Sequence, residues 1–320
     1  MANKRIVTTA PIDRIAIDIL EEIAPFETAS TPAEETLMEL MPGTVGLVVR
    51  GEGKATARML AAAPDLAVIG RPGVGYDSVD LEAATARKIP LVYTPIGGFA
   101  VAEGALALLL GLVKKLPLCD QIVRSGQWNQ RYDHETGDIT EHTLGIVGLG
   151  RIGAHFARLV HPFGATLLGY DPFVDPRIAS DLDVELVELD DLLQRSDYVS
   201  VHTPLNDHTR GLLDKERIAR MKPGAILINT SRGGTIASLD ILADALENGP
   251  LAALGLDVFP TEPPDASHRI FKDPRCLFSP HLLGISTLAM SRMYKSMATD
   301  MVAVLKGERP VHCVNPDVFD

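Results

Sequence analysis

The chain is poor in cysteine, in positive charge and in long apolar runs. Its 320 residues hold three cysteines, Cys119, Cys276 and Cys313, far apart and odd in number. With no CxxC and no cysteine–histidine ligand spacing, a disulfide scaffold and a metal site are both disfavoured, and idle thiols in a reducing compartment are expected. Lysine and arginine total 30 against 42 acidic residues, a net charge of −12. That balance argues against a nucleic-acid partner, because a phosphate backbone demands basic surface. It leaves room for a small anion, which a local group of arginines can hold. The most apolar stretch, residues 105–113, is far shorter than the ~20 residues that span a bilayer. Asp13, Arg14 and Asp18 interrupt the only early apolar segment, so no secretory signal is read, and a cytoplasmic protein is expected.

What is present is a regular alternation. A hydrophobic fraction of 46% with 22% charge is ordinary for a globular protein, and the length suits two domains. "RIVTT", "VGLVV", "LAVIG" and "PLVYT" read as buried strands, separated by helical patterns such as 12–23 and 55–63. The rhythm then breaks at "FAVAEGALALLLGLVKKLPLCDQIVRSG", which reads as one long helical segment. A helix apolar on all sides must be covered on more than one of them, either inside the chain or by a second copy. A second series follows: "TLGIV", "TLLGY", "DYVSVH", "AILINT", "LAALGLDV" and "CLFSP". Near the end, Met290, Met293, Met297, Met301 and Leu305 recur at spacings of three and four and read as a core-facing helical stripe. The pattern predicts an α/β chain of two doubly wound parallel-sheet domains. One is expected from residues 1–98, completed by 285–320; the other, from 99–284, is inserted in it, with the crossings near 99 and 284 as a hinge.

The inserted series opens with "LGIVGLGRIGAHFARLVHPFGATLLGYDP". Gly148 follows an apolar strand and allows a tight turn, Gly150 lets backbone approach a pyrophosphate, and Gly153 lets the helix close on the sheet. Amides around Arg151 and Ile152 then face the phosphates at a helix N-terminus, where the dipole favours negative charge. Asp171 follows the next strand, roughly 20 residues on, where a carboxylate accepts ribose hydroxyls and repels a 2′-phosphate. NAD is the expected cofactor.

In a parallel sheet, ligands bind beyond the carboxyl ends of the strands. Those ends carry "HTPLNDHT", "NTSRGG", "LDVFPTEPP" and "SPHLLG". Among them Arg232, Glu262 and His281 form the candidate catalytic set. Hydride transfer changes the charge on a substrate oxygen, which then needs a proton donor or acceptor titrating near neutrality, the range of histidine. A carboxylate beside the imidazole fixes its tautomer and stabilises its cation. An arginine grips a substrate carboxylate by two parallel hydrogen bonds and polarises the neighbouring carbonyl.

These blocks, in this order and spacing, resemble the D-isomer-specific 2-hydroxyacid dehydrogenases. "RPGVGYDSVDLEAA" and "TPIGGFAVAEGALALLLGL" extend the likeness over nearly the whole chain. The resemblance implies a flavodoxin-like substrate domain, an inserted Rossmann domain that binds NAD, and a homodimer joined through the long helices. It implies that Arg232 binds the substrate carboxylate and carbonyl, that His281 is the acid/base and that Glu262 is its partner. Thr230 and Asp257 would hold the nicotinamide amide, and His202, Thr203 and Pro204 would line the adenosine side, with Thr209 among the cofactor-binding positions. Two blocks depart from the pattern. Many members carry an asparagine and polar residues where "IGGF" stands at 96–99, and a histidine where Gly104 stands. The stretch before the glycine-loop strand also lacks the usual L-x-G-K-T.

For the substrate, a small anionic 2-hydroxy or 2-oxo acid, the first series offers Arg50, Lys54 and Arg71, with the backbone amides of Val74 and Gly75 for a carboxylate. Three cations suit a second anionic group such as a phosphate. "VVRGEGKAT" and "GRPGVGYDSVDLEAA" are especially similar to blocks of 3-phosphoglycerate dehydrogenases, and the ending at the C-terminal helix suggests a short, unregulated form. Glyoxylate or hydroxypyruvate reduction fits the core motifs equally, formate or phosphite oxidation is a further enzymatic reading, and an NAD-sensing corepressor-like binding protein is the reading from another class.

Overall fold

A computed structural model describes residues 4–320 and divides them into two compact units. One runs to Gly97 and resumes with Ser286–Asp320; the other is Gly98–Ile285. Residues 1–3, which the sequence reading placed in the first domain, lie outside the described residues.

The first unit alternates β1 (Arg5–Thr8), α1 (Arg14–Glu21), β2 (Phe26–Thr28), α2 (Glu34–Leu40), β3 (Thr44–Val48), α3 (Ala57–Ala62), β4 (Val68–Arg71), α4 (Leu81–Ala86) and β5 (Leu91–Tyr93). The second unit contains α5 (Gly98–Val113), α6 (Leu116–Arg124), β6 (Thr143–Val147), α7 (Arg151–Val160), β7 (Thr166–Tyr170), α8 (Pro176–Asp181) and β8 (Val184–Leu186). It continues with α9 (Leu189–Arg195), β9 (Tyr198–Val201), α10 (Lys215–Ile218), β10 (Ala225–Asn229), α11 (Leu239–Asn248), β11 (Leu251–Leu256) and β12 (Cys276–Phe278). Helix α12 (Thr287–Leu305) belongs to the first unit.

The first sheet has the order β2-β1-β3-β4-β5, the flavodoxin-like arrangement. The second runs β12-β11-β10-β9-β6-β7-β8, which contains the doubly wound Rossmann order. All the pairings within both sheets are parallel. Central strands covered on both faces must be apolar throughout rather than alternating, and β3 and β10 are buried at every residue. In the second sheet Val147 lies opposite both Tyr170 and Val201, so β6, β7 and β9 end level with one another. Each sheet is covered by one apolar cluster per face.

The methionine stripe is core, as expected. Met297 and Met301 are fully buried with Ile6, Val48 and Val68 on one face of the first sheet. The expected single helix after residue 98 is instead two. Lys115 takes a left-handed backbone (φ 50°), and Lys114 reaches out to the Gly137 carbonyl (2.7 Å) and the Asp138 carboxylate (2.6 Å). The upstream helix, α5, packs within its own unit against α7 and the β10–β12 end of the sheet, which explains why it is apolar nearly all round. Strands β2 and β8 went unread in the sequence. Each has three residues and lies at a sheet edge without being buried throughout, so neither carries an apolar run.

Candidate active site

The glycine loop sits where the strand order of the second sheet reverses, between the ends of β6 and β9. Gly148 has φ +95°, and a Cβ there would lie 3.0 Å from backbone atoms of His202 and Thr203. A Cβ on Gly153 would fall 1.9 Å from the Gly148 carbonyl oxygen, so only glycine lets α7 start this close to the strand. Around Gly150 a Cβ would meet nothing within 4 Å, leaving open approach to the helix start at Arg151 and Ile152. The Asp171 carboxylate accepts the Leu149 amide (2.9 Å) through one oxygen and the Phe173 amide (3.0 Å) through the other. It is thereby held beside the glycine loop.

Two threonine hydroxyls nearby, on Thr203 after β9 and Thr230 after β10, are buried without a hydrogen-bond partner. A buried polar atom left unpaired is costly and signals a missing ligand. These orphans, the open glycine loop and the fixed carboxylate fit a dinucleotide laid across the strand ends. His202 is buried against Phe156, with its Nε2 bonded to the Ser200 hydroxyl (2.9 Å), and burial pulls its pKa down to about 3. It is therefore held neutral. Pro204 is exposed. Thr209 is engaged in its own loop: its hydroxyl donates to the Pro204 carbonyl (2.6 Å) and accepts from the Asn206 amide (2.8 Å). It braces the segment that carries Pro204.

The next three strand ends carry the candidate catalytic set. After β10, the Asn229 side chain accepts from the Ser231 amide (3.0 Å) and donates to the Arg232 carbonyl (3.1 Å), which fixes the turn holding Arg232. A Cβ on Gly233 would lie 1.9 Å from the Phe259 carbonyl carbon, so glycine is what seats this turn directly on the segment after β11. In that segment Glu262 Oε1 accepts the Phe259 amide (3.0 Å), and Oε2 lies 2.8 Å from His281 Nδ1. Burial pushes the Glu262 carboxyl up, but the His281 hydrogen bond, the Phe259 amide and the charges of His281 and Arg232 outweigh it, so the group sits below the usual carboxylate range. An ionised carboxylate only accepts, so Nδ1 carries the proton in this hydrogen bond and Nε2 stands outside it.

His281 itself has φ +56°, unusual for a side chain larger than glycine. Asp257 over-determines that turn. Its carbonyl accepts the His281 amide (2.8 Å), and its buried carboxylate accepts the amide of Leu282 (2.9 Å) and, more distantly, that of Leu283 (3.4 Å). Burial raises the Asp257 carboxyl against the lowering effect of hydrogen bonds from the Ser279 hydroxyl and these two amides. Asp257, expected from the sequence to hold the nicotinamide amide, also anchors the histidine turn through its carboxylate. The anchoring hydroxyl of Ser279 went unnoticed, although it stands two residues before His281. Among the described residues no group of three or more His, Cys, Asp or Glu side chains is placed to hold a metal ion.

The first unit holds the remaining candidates. Arg50 follows β3, reaches the Pro11 carbonyl and lies over the Tyr294 ring, 5.5 Å from its centroid. Arg71 ends β4 and donates to the Pro72 carbonyl (2.8 Å). The loop that presents the Val74 and Gly75 amides is pinned to the end of β5 by the Gly73 amide on the Thr94 hydroxyl (2.6 Å), and Val74 is 48% exposed. Lys54 is exposed ahead of α3.

Residues 106–282 match the family model described as D-isomer specific 2-hydroxyacid dehydrogenase, NAD binding domain. A D-3-phosphoglycerate dehydrogenase of Mycobacterium tuberculosis is 41% identical over 285 residues, which is 89% of this chain and 53% of the relative. This chain thus spans about half the length of that relative. A glyoxylate reductase of Thermofilum pendens is 34% identical over 330 residues, covering 100% of this chain and 96% of the relative. A D-lactate dehydrogenase of Aquifex aeolicus, solved with NAD and lactic acid, superposes with a TM-score of 0.88 at 25% identity, covering 98% of this chain and 99% of that one. With its glycine loop, its imidazole–carboxylate couple and these matches, the chain belongs to the D-isomer-specific 2-hydroxyacid dehydrogenase family.

Proposed function

We propose that the protein is an NAD-dependent oxidoreductase that moves a hydride between the nicotinamide and C2 of a D-2-hydroxy acid. The observation that carries this reading is the 2.8 Å couple of His281 Nδ1 and Glu262, which stands on the strand-end edge that also bears the glycine loop.

Bound NAD supplies the hydride acceptor. The chain's own residues do the rest. Arg232 takes the substrate carboxylate in a bidentate grip and polarises the bond to the C2 oxygen. In oxidation His281 Nε2 would take the hydroxyl proton as C2 gives up its hydrogen with the bonding pair, a hydride that NAD would accept when bound; in reduction the same imidazole would return the proton. Glu262 holds Nδ1–H and offsets the charge of the imidazolium. Gly148, Gly150, Gly153 and the amides of Arg151 and Ile152 receive the pyrophosphate. Asp171 takes the ribose, His202, Thr203 and Pro204 line the adenosine side, and Thr230 donates or accepts at the nicotinamide.

The first unit serves as the substrate domain in this reading, with Arg50, Arg71 and the amides of Val74 and Gly75 binding the acid. The 41% identical relative is named for 3-phosphoglycerate, which favours a substrate with a second anionic group. Reduction of glyoxylate is the second reading, favoured by the relative matched over nearly its whole length. A homodimer in the cytoplasm completes the proposal. The exposed apolar residues Leu116, Val123, Trp128 and Tyr132, on and just after α6, support a protein partner on that face.

The test is a panel of 2-oxo acids supplied with NADH or NADPH, followed by nicotinamide absorbance. Arg232→Ala, Glu262→Gln and His281→Ala retain NADH binding and lose turnover; a His281→Ala enzyme with wild-type kcat removes the mechanism.

A further inference from the structure

Three phenylalanine rings form a triangle whose first two members border the His281–Glu262 couple. The centroids of Phe259 and Phe278 stand 6.1 Å apart, those of Phe259 and Phe271 5.8 Å, and those of Phe271 and Phe278 4.9 Å. All three pairs are tilted or edge-on and within the roughly 4.5–7 Å that such rings favour. Two of the rings belong to segments that build the site. Phe259 gives its amide to Glu262 Oε1 (3.0 Å), and the Gly233 turn is seated on its carbonyl. Phe278 ends β12, three residues before His281. The third ring, Phe271, stands between "LDVFPTEPP" and "SPHLLG" in sequence and in neither block.

The two halves of the couple are held differently. On the histidine side, β11 and β12 pair as far as Leu256 and Phe278, and the His281 amide then bonds to the Asp257 carbonyl (2.8 Å). Glu262 lies past the end of that ladder, and the Phe259 ring ties its segment to β12. A recess of about 340 Å³ opens beside Phe259 and Phe278, with Pro263, Pro264 and Pro280 also lining it, so these rings are not packed all round. Phe271 supplies contact to both, and its own mount is rigid. It sits on a single turn of 3-10 helix, Arg269–Lys272, with Ile270 in the core at 1% exposure. His268 accepts the Ile270 amide at Nδ1 (3.2 Å), which leaves the proton on Nε2 for the Asp240 carboxylate (3.2 Å). Arg269 is clamped by Asp244 and by Glu247 (2.6 Å). Asp240, Asp244 and Glu247 recur at spacings of four and three, so one face of α11 holds this turn.

We propose that Phe271 is a positioning residue for the reaction: by bracing Phe259 and Phe278 against α11, it sets the distance at which Glu262 meets His281. The catalytic role of the couple rests on the dehydrogenase reading above; the bracing itself is a matter of geometry. Without the third ring, Phe259 is free to shift into the neighbouring recess and takes with it the amide that holds Glu262. His281, fixed by the ladder and by Asp257, stays behind. The glycine loop is unaffected, since β11, β10 and β9 stand between β12 and β6 in the sheet.

The test compares Phe271→Ala, which removes the ring, with Phe271→Tyr, which keeps it and can turn its hydroxyl to solvent from this half-buried position. Both are assayed in the full chain, well below Tm, with the 2-oxo acid that the wild type reduces fastest. In Phe271→Ala kcat falls about tenfold, short of the roughly 100-fold that an ångström of misplacement costs, while the KM for NADH is unchanged. Phe271→Tyr keeps the wild-type kcat. A general loosening of the fold moves the KM for NADH as well. Wild-type kcat in Phe271→Ala, an equal loss in Phe271→Tyr, or a KM for NADH that rises with the loss overturns the proposal. Crystal structures give a readout independent of turnover. The Glu262 Oε2–His281 Nδ1 separation stays at hydrogen-bonding distance in the wild type and Phe271→Tyr and exceeds roughly 3.5 Å in Phe271→Ala. An unchanged separation overturns the proposal. A wild-type chain that reduces no 2-oxo acid sinks the dehydrogenase reading instead, and the crystallographic separation then decides the bracing alone. If Phe271→Ala folds poorly, Phe271→Leu takes its place in both measurements with the same expectations.

Discussion

Leu283 occupies the space that a side chain at Gly104 would need: a Cβ built there falls 2.5 Å from Leu283 Cβ. Leu283 stands two residues after His281, and its turn is anchored on Asp257. Gly284, next along, would bring a Cβ to 3.0 Å of Val101 on the same helix. Two glycines therefore seat the histidine turn on α5, and the histidine that many family members carry at 104 has no room in this chain.

Gly104→Ala accordingly pushes Leu283 and the turn bearing His281 off the helix. Overpacking of this kind costs about 1–3 kcal/mol in stability, and an ångström of misplacement at the proposed acid/base costs roughly 100-fold in kcat. Leu283→Ala in the same chain relieves the clash and restores most of the activity. Steady-state kinetics of the two single variants and the double variant decide the point; a Gly104→Ala enzyme with wild-type kcat shows that the turn is not seated this way.

Asp171 faces two tasks. Its oxygens take the Leu149 and Phe173 amides, at 2.9 and 3.0 Å, and in the proposed function they also take the ribose. Asp171→Asn keeps an acceptor for the loop and removes the charge. The KM for NADH rises about tenfold, the value of a charge-assisted hydrogen bond, and the preference for NADH over NADPH narrows. Kinetics with both cofactors measure this. Unaltered discrimination would mean that the carboxylate serves the loop alone.

His202 couples the fold to pH. Burial lowers its pKa from 6.5 to about 3, so the folded protein holds it neutral while the unfolded chain protonates it first. A depressed histidine costs nothing above the unfolded value. Below pH 6.5 the unfolded state binds the extra proton, and stability falls by up to ~1.4 kcal/mol per pH unit until the folded value is reached. His202→Asn, which keeps a polar group near Ser200, is less stable at neutral pH and has a flatter pH dependence below 6.5. Urea midpoints for the two proteins at pH 7 and pH 5 show whether the lines converge.

How much of this was legible beforehand follows from what a one-dimensional pattern encodes. The strands buried on both faces, such as "AILIN" at Ala225–Asn229, announce themselves as apolar runs bounded by turn residues. The strand ends of a parallel sheet share an edge, so Arg232, Glu262 and His281 could be grouped without knowing a distance. Edge strands could not be found this way. Nor could the break at Lys115, where apolar periodicity continues through a left-handed residue. Contacts made across the fold left no local signal at all: Leu283 against Gly104, Ser279 on Asp257, and Arg50 over Tyr294 each join elements whose spacing carries no motif.

The three thiols, read as idle in the sequence, differ in the structure. Cys119 is exposed on α6, whereas Cys276 lies in β12, where burial pushes its pKa up to about 12 with the Asp273 carboxylate adding to the effect. Burial likewise raises Cys313, in the segment that bridges β5 at Val92. Thiolate is the reactive form, so a thiol held protonated is slow even when a reagent reaches it. With a disulfide reagent at mildly alkaline pH, the exposed Cys119 reacts in a fast phase, and the other two follow only as fast as the chain opens. Adding urea below the unfolding midpoint therefore speeds the slow phase and leaves the fast one unchanged. Cys119→Ser removes the fast phase entirely. A fast phase that survives this substitution would place a reactive thiolate in β12 or beside β5, and the burial that sets both values would have to be wrong.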